Sequence, residues 1–228
     1  MRYLNAIAAH ELFVATGVYR RYAGGALSDY SESFTQHEHK GGALLVRIDQ
    51  DARFTEGWSR LAEVLHEPDG TVARVKIQTN YNSTNSPFRM MKTDYSFFDD
   101  YVQVARITDG THESFEIPLP DKTFVRLIDF NFYWGVTLRW AQQPDASKYP
   151  VFVPFMRPHM PPGQVFSGTL PEVVAQSIES VEQSGSVRDL TRYATRSRVV
   201  WVDEYDVPMK LQNVQANQID VLQDYAHR

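Results

Sequence analysis

WSRLAEVLHEPDGTVARVKIQTNY, residues 58–81, reads as two strands joined by a turn. Pro68 presets φ and Gly70 accepts positive φ, so Pro68-Asp69-Gly70 reverses the chain between Trp58 to Glu67 and Thr71 to Tyr81. In the return strand Ala73, Val75, Ile77 and Tyr81 share one face, and Arg74, Lys76, Gln78 and Asn80 share the other. One face is therefore core and the other meets solvent or a polar cavity, the pattern of an antiparallel sheet.

The same texture extends in both directions. Upstream, Tyr30 to His39 and Ala43 to Asp51 flank Lys40-Gly41-Gly42 as an earlier hairpin. Downstream, a polar loop from Asn82 to Pro87 leads to a strand from Phe88 to Phe98, in which Met90, Met91, Phe97 and Phe98 read as core. Strands from Tyr101 to Thr108 and His112 to Leu119 then meet at Asp109-Gly110. Near the end, Arg198 to Tyr205, Met209 to Gln212 and Ile219 to Tyr225 read as closing strands. The fold class predicted is mainly β: one domain over residues 1–228, a single curled antiparallel barrel or half-barrel with one or two short helices. One helix is expected at the start, where Leu4, Ile7, Ala8, Leu12 and Ala15 recur near helical spacing. Thr169 to Glu172 has capping-box spacing for a helix through Val181, and a strand there is the equal alternative.

FVRLIDFNFYWGVTLRW, residues 124–140, places Phe124, Phe130, Phe132, Tyr133, Trp134 and Trp140 within one short stretch. That much aromatic surface forms a core floor or the wall of an apolar pocket. Asp121 could cap a helix, but aromatic and β-branched density favours a strand followed by a bend at Gly135. As a strand it would align Asp129, Asn131 and Tyr133 on one face, opposite Phe130, Phe132 and Trp134. A polar stripe in an apolar wall orients a ligand and shifts a pKa. Gln142 to Gly163 follows with six prolines and reads as an ordered loop crossing a rim.

Composition narrows the chemistry. The 228 residues carry a net charge of −5 and no basic run longer than two residues, which argues against nucleic acid and against an anionic membrane. Cysteine is absent, which removes disulfides, thiol nucleophiles and thiolate metal sites. The first residues contain no apolar run suited to a signal peptide, and no window suits a membrane-spanning helix, so a cytoplasmic location is expected. A Gly-rich phosphate loop, GxGxxG and Gly-x-Ser-x-Gly are all missing; Ser184-Gly185-Ser186 has the wrong spacing. Cofactors are therefore not expected.

His37-Glu38-His39 places two histidines on one face of a strand, as in metal-binding cupin barrels. The carboxylate such a site needs does not follow in Lys40-Gly41-Gly42-Ala43-Leu44, so no metal is expected unless His66, His112 or His159 completes it. The acid–base candidates are Asp129, Tyr133, Arg139, His159, His37 and His39; Phe130, Phe132, Trp134, Trp140 and Arg157 are the ligand-binding candidates. A structural Arg–Asp pair tying sheet to loop is the plainer reading of the charges.

Val199-Val200-Trp201-Val202-Asp203 followed by Val207-Pro208-Met209-Lys210-Leu211, with the long meander and its Asp-Gly turns, resembles the last hairpin of bacterial half-barrel and calycin-type proteins. That resemblance, to lipocalin-like and lipoprotein-carrier-like half-barrels, implies a curved sheet wrapped around a hydrophobic ligand. Two functions are carried forward. One is a cofactor-independent lyase or isomerase acting by acid–base chemistry on a small aromatic or apolar molecule. The other is a non-catalytic carrier of a lipid or other hydrophobic ligand. A homo-oligomer using the aromatic stretch as its interface is a further expectation.

Overall fold

The computed structural model describes residues 1–39, 41–82, 89–183 and 186–228, the side chains of Gln183 and Ser186 excepted. The loop expected over Asn82 to Pro87, the strand start at Phe88, the Lys40 corner and Ser184-Gly185 lie outside the described residues, apart from Asn82 itself.

An N-terminal meander comprises β1 (Leu12–Ala23), β2 (Ala26–Glu38), β3 (Leu44–Ala52), β4 (Trp58–His66), β5 (Val72–Tyr81), β6 (Met90–Phe97), β7 (Tyr101–Thr108) and β8 (Thr111–Pro118). Two short strands, β9 (Phe124–Val125) and β10 (Val151–Phe152), pair in parallel on either side of the helix α1 (Trp134–Ala141). A second meander holds β11 (Val173–Gln183), β12 (Ser186–Thr195), β13 (Arg198–Val202), β14 (Pro208–Asn213) and β15 (Gln218–His227). Pairing of β15 with β1 joins the two meanders into one 13-stranded antiparallel sheet, ordered β11-β12-β13-β14-β15-β1-β2-β3-β4-β5-β6-β7-β8. Among the described residues β8 and β11 do not pair, so the sheet stays open. No helix is long and apolar enough to cross a membrane among those residues.

One face of this sheet bends around residues 124–166. Phe132 packs on Phe34 of β2 with ring centroids 4.5 Å apart, the Phe155 N–H donates to the Tyr95 hydroxyl on β6 at 2.5 Å, and Trp134 lies under Arg198 of β13. Strands far apart in sheet order thus grip the same segment. The core contains Phe130, Leu138, Phe152 and Phe155 from the segment with Tyr19, Val64, Tyr95 and Val200 from the sheet. The proline-rich stretch crosses the inner face rather than a rim, because its Val151, Phe152, Phe155, Met156 and Val165 are buried there.

Three expectations need correction. Residues 1–11 form no helix, and Leu12 onward belongs to β1, whose inward residues are Ala15, Gly17 and Tyr19. Gly24 and Gly25, with φ of 58° and 86°, close a two-residue turn between β1 and β2. The aromatic stretch is mostly not a strand: β9 has two residues, a 3-10 turn spans Asn131–Tyr133, and α1 follows. Its cause lies on β2, where the Glu32 carboxylate accepts the Asn131 and Phe132 N–H groups at 3.0 and 3.1 Å and starts the helical turn. Gly135 makes no bend; a Cβ there would lie 1.8 Å from the Asp206 carbonyl oxygen, so glycine lets α1 press on the β13–β14 turn. Of the two equal readings after Thr169 to Glu172 the strand is the one found, as β11, while β12, unread in the sequence, completes the hairpin.

Candidate functional site

Across the inner face, Tyr19, Glu32, Gln50, Arg60 and Thr79 stand opposite one another on five successive strands. All are buried, and the last four form a polar row in an otherwise apolar surface. Each partner of the row is supplied by a neighbour or by the covering segment. Gln50 Nε2 donates to Glu32 Oε2 at 2.9 Å and to the Asp129 carbonyl at 2.6 Å. Arg60 donates to Gln50 Oε1 at 3.3 Å, Thr79 Oγ1 at 3.2 Å and the Met156 carbonyl at 3.1 Å. Buried polar groups without such partners would each cost about 1–3 kcal/mol. The row therefore clamps both arms of the segment, at 129–132 and at 156, to the sheet.

Burial pushes the Glu32 carboxyl up to about 7, against the two backbone donors and Gln50, which favour its charged form. Burial also lowers the Arg60 guanidinium, which Asp129 at 3.8 Å partly offsets.

Beyond this row the segment stops filling the sheet and a cleft of 590 Å³ opens. Tyr30, Trp58 and Tyr81 form its aromatic walls, with Ile128 and Pro158 from the covering segment. Its charges come from separate parts of the chain: Arg21, Arg60 and Arg198 from β1, β4 and β13, and Asp129, Arg157 and His159 from the covering segment. Arg21 lies 3.6 Å from the Tyr30 ring centroid and donates to both Asp220 oxygens, at 2.8 and 3.1 Å. Arg198 lies 4.8 Å from the Trp134 ring centroid, and burial lowers its pKa.

The candidates read from sequence divide among four places. Asp129, Arg157 and His159 meet in the cleft. Phe132, Tyr133, Arg139 and Trp140 line a separate groove of 1590 Å³. There the Tyr133 hydroxyl donates to His66 Nε2 at 2.8 Å, because His66 Nδ1 already donates to the Gly70 carbonyl at 3.2 Å. Arg139 is paired with Asp206 on the surface and not with Asp129, and Trp140 stacks on Phe124 at 4.7 Å. Phe130 and Trp134 are core residues, so the expected stripe of Asp129, Asn131 and Tyr133 does not exist: Asn131 is turned to Asp220 at 3.2 Å.

His37 lies across the sheet from all of these. The outer face carries Arg47, which donates to Glu11 at 2.6 and 2.8 Å, to Glu63 at 3.3 Å and to His37 Nδ1 at 3.3 Å. Burial, then Arg47, lowers the His37 pKa. His39 sits 3.7 Å from Glu11, beside His10. Among the described residues no three His, Asp or Glu side chains are placed to hold a metal ion. Arg21, Tyr30, Glu32, Gln50, Arg60 and Arg198 were not foreseen. For three of them the signal was present: Glu32, Gln50 and Arg60 each interrupt an inward apolar series, beside Phe34, Ile48 and Ala62 respectively.

No family model matches the chain, and no curated protein matches it. A crystal structure titled as a beta-barrel-like protein of domain of unknown function DUF1849, from Brucella abortus, is similar over 96% of this chain and 100% of that one, with TM-score 0.49 and 8% identity.

Proposed function

We propose that the protein binds a small organic molecule in the 590 Å³ cleft, with an aromatic or apolar body against Tyr30, Trp58 and Tyr81 and a polar end toward the floor. One observation carries this reading: ionisable side chains from separate parts of the chain meet where the covering segment leaves the inner face unfilled. Arg21 and Arg60 also tie the fold together, whereas Arg157 and Arg198 make no direct ion pair there among the described residues. The resemblance to lipocalin-like and lipoprotein-carrier-like half-barrels supports the same reading of a bound hydrophobic ligand.

A second reading, a cofactor-independent lyase or isomerase, is favoured by Asp129 and His159 at the same mouth. Asp129 would draw a proton, His159 would return one, and the arginines would hold the developing oxyanion. Tyr133 and Arg139 have no part in it, since both line the other cavity.

Trp58 lines the cleft and Trp140 the groove, so tryptophan emission distinguishes the two cavities. Titration with small aromatic molecules is expected to change emission in the wild type and in Trp140→Phe, and to lose that change in Trp58→Phe. A change that survives in Trp58→Phe and vanishes in Trp140→Phe moves the site to the groove and supports a lipid carrier. Among molecules that bind, turnover lost in Asp129→Asn or His159→Ala with binding retained selects the enzyme.

A further inference from the structure

We infer that the ligand of the cleft carries an oxyanion, a carboxylate or a phosphoryl group, held by Arg198 and Arg157; this rests on the binding function proposed above. Four guanidinium groups and His159 line the cleft against two carboxylates, Glu56 and Asp129. The carboxylates are already engaged. Glu56 lies 3.5 Å from Arg21, which is paired more closely with Asp220, and Asp129 lies 3.8 Å from Arg60.

Arg157 and Arg198 remain. Neither guanidinium has a hydrogen-bond or salt-bridge partner among the described residues. For Arg157, exposed on the covering segment, water supplies the partners. Arg198 is different, because it is partly buried against Trp134 and gives up part of its hydration with no carboxylate in direct contact, Asp220 and Asp129 acting on it only from a distance. The outer face of the same protein shows the ordinary remedy, since Arg47 there meets both Glu11 and Glu63. An arginine left open inside a cavity with aromatic walls matches the fork geometry of a carboxylate or phosphate supplied from outside. Tyr30, Trp58 and Tyr81 would take the apolar body of the same molecule.

Benzoate and phenyl phosphate supply the anion on an aromatic body, and benzamide and benzyl alcohol supply the same body without charge. Dissociation constants are read from Trp58 emission for the wild type, Arg198→Gln, Arg198→Lys and Arg157→Gln. The anions are expected to bind at least tenfold more tightly than the neutral molecules. Arg198→Gln and Arg157→Gln should each erase most of that preference and leave benzamide unchanged, and Arg198→Lys should keep part of it. The ratio of benzoate to phenyl phosphate assigns the oxyanion. Equal binding of benzoate and benzamide overturns the inference and leaves the binding function intact. Equal weakening of both by Arg198→Gln, with no effect of Arg157→Gln, also overturns it and makes Arg198 a support for Trp134. If no probe binds, both the inference and the binding function fall. Because Arg157 is exposed on a loop, its variant tests the anion even if Arg198→Gln disturbs folding.

Discussion

The two faces of the sheet each carry a buried arginine, and they treat it differently. On the outer face residues 1–11 lie over the charges and neutralise them: Glu11 meets Arg47, Arg2 meets Asp49 at 2.6 Å, and the Asn5 backbone N–H donates to Glu63 at 3.1 Å. On the inner face Arg60 meets mainly neutral oxygens, from Gln50 and Thr79 of the sheet and from Met156 of the covering segment, and Arg157 and Arg198 face a cavity. A charge cluster closed by carboxylates holds a chain segment in place. A cluster left with excess positive charge at a cavity is what the proposed ligand would complete. His37 and His39 belong to the first kind, held beside Arg47 and Glu11 on the face opposite the cleft.

The largest effect is expected on the closed face. Arg47→Ala strands Glu11 and Glu63 against the sheet, and removing one partner of such a buried network costs about 3–5 kcal/mol. Arg198→Ala, which strands no carboxylate, should cost less than about 1 kcal/mol. Chemical denaturation of both variants measures the contrast. Equal losses would erase the distinction between the faces and make Arg198 a structural residue.

Glu32 gives an intermediate effect with a distinctive pH dependence. Its carboxyl titrates near 4.5 in the unfolded chain and is pushed up to about 7 in the folded one. Between those values the folded protein holds a proton that the unfolded chain has released, so stability falls as pH rises through this window, by up to about 3 kcal/mol. Below 4.5 the contribution is fully present. Glu11 has the opposite sign: the Arg47 hydrogen bonds, working against partial burial, lower it to about 2, so its contribution is present above 4.5 and is lost as pH falls toward 2. Denaturation midpoints from pH 5 to 8 should decline for the wild type and stay flatter for Glu32→Gln. Identical slopes would mean that Glu32 is ionised throughout and that its backbone donors outweigh burial.

The sheet was largely legible because alternation and turn residues are local signals. Pro68-Asp69-Gly70 and Asp109-Gly110 sit where expected, with β4, β5, β7 and β8 around them. Residues 1–11 misled because Leu4, Ile7 and Ala8 share helical spacing by chance; Arg2, Asn5 and Glu11 anchor the segment through partners 36 or more positions away. The aromatic stretch failed for a related reason. Its helical turn is started by Glu32, about a hundred residues earlier, and no local propensity reports that carboxylate. β12 escaped because its Val187, Arg188 and Asp189 are exposed, so alternation is weak. Of the site, Asp129, Arg157 and His159 were legible as polar residues near aromatics. Arg21 and Arg198 were not, since the β15–β1 pairing joins two distant parts of the chain.

The smallest effect is expected at Arg139, a residue whose place among aromatics suggested chemistry. Its guanidinium is mostly exposed at the end of α1, bonded to Asp206 in the β13–β14 turn, and solvent-exposed pairs of this kind contribute about 0–1 kcal/mol. Arg139→Ala should therefore shift the denaturation midpoint very little and leave every dissociation constant measured at Trp58 unchanged, because the residue lines the groove and not the cleft. Added salt should weaken the Arg139 pair and leave Arg47 with Glu11 largely intact, since screening acts on exposed charges first. A marked loss of affinity in Arg139→Ala would show that α1 and the β13–β14 turn carry strain across the inner face to Arg198, at the start of β13. The two cavities would then act as one site, and the contrast between a paired surface charge and an open buried one would no longer locate the ligand.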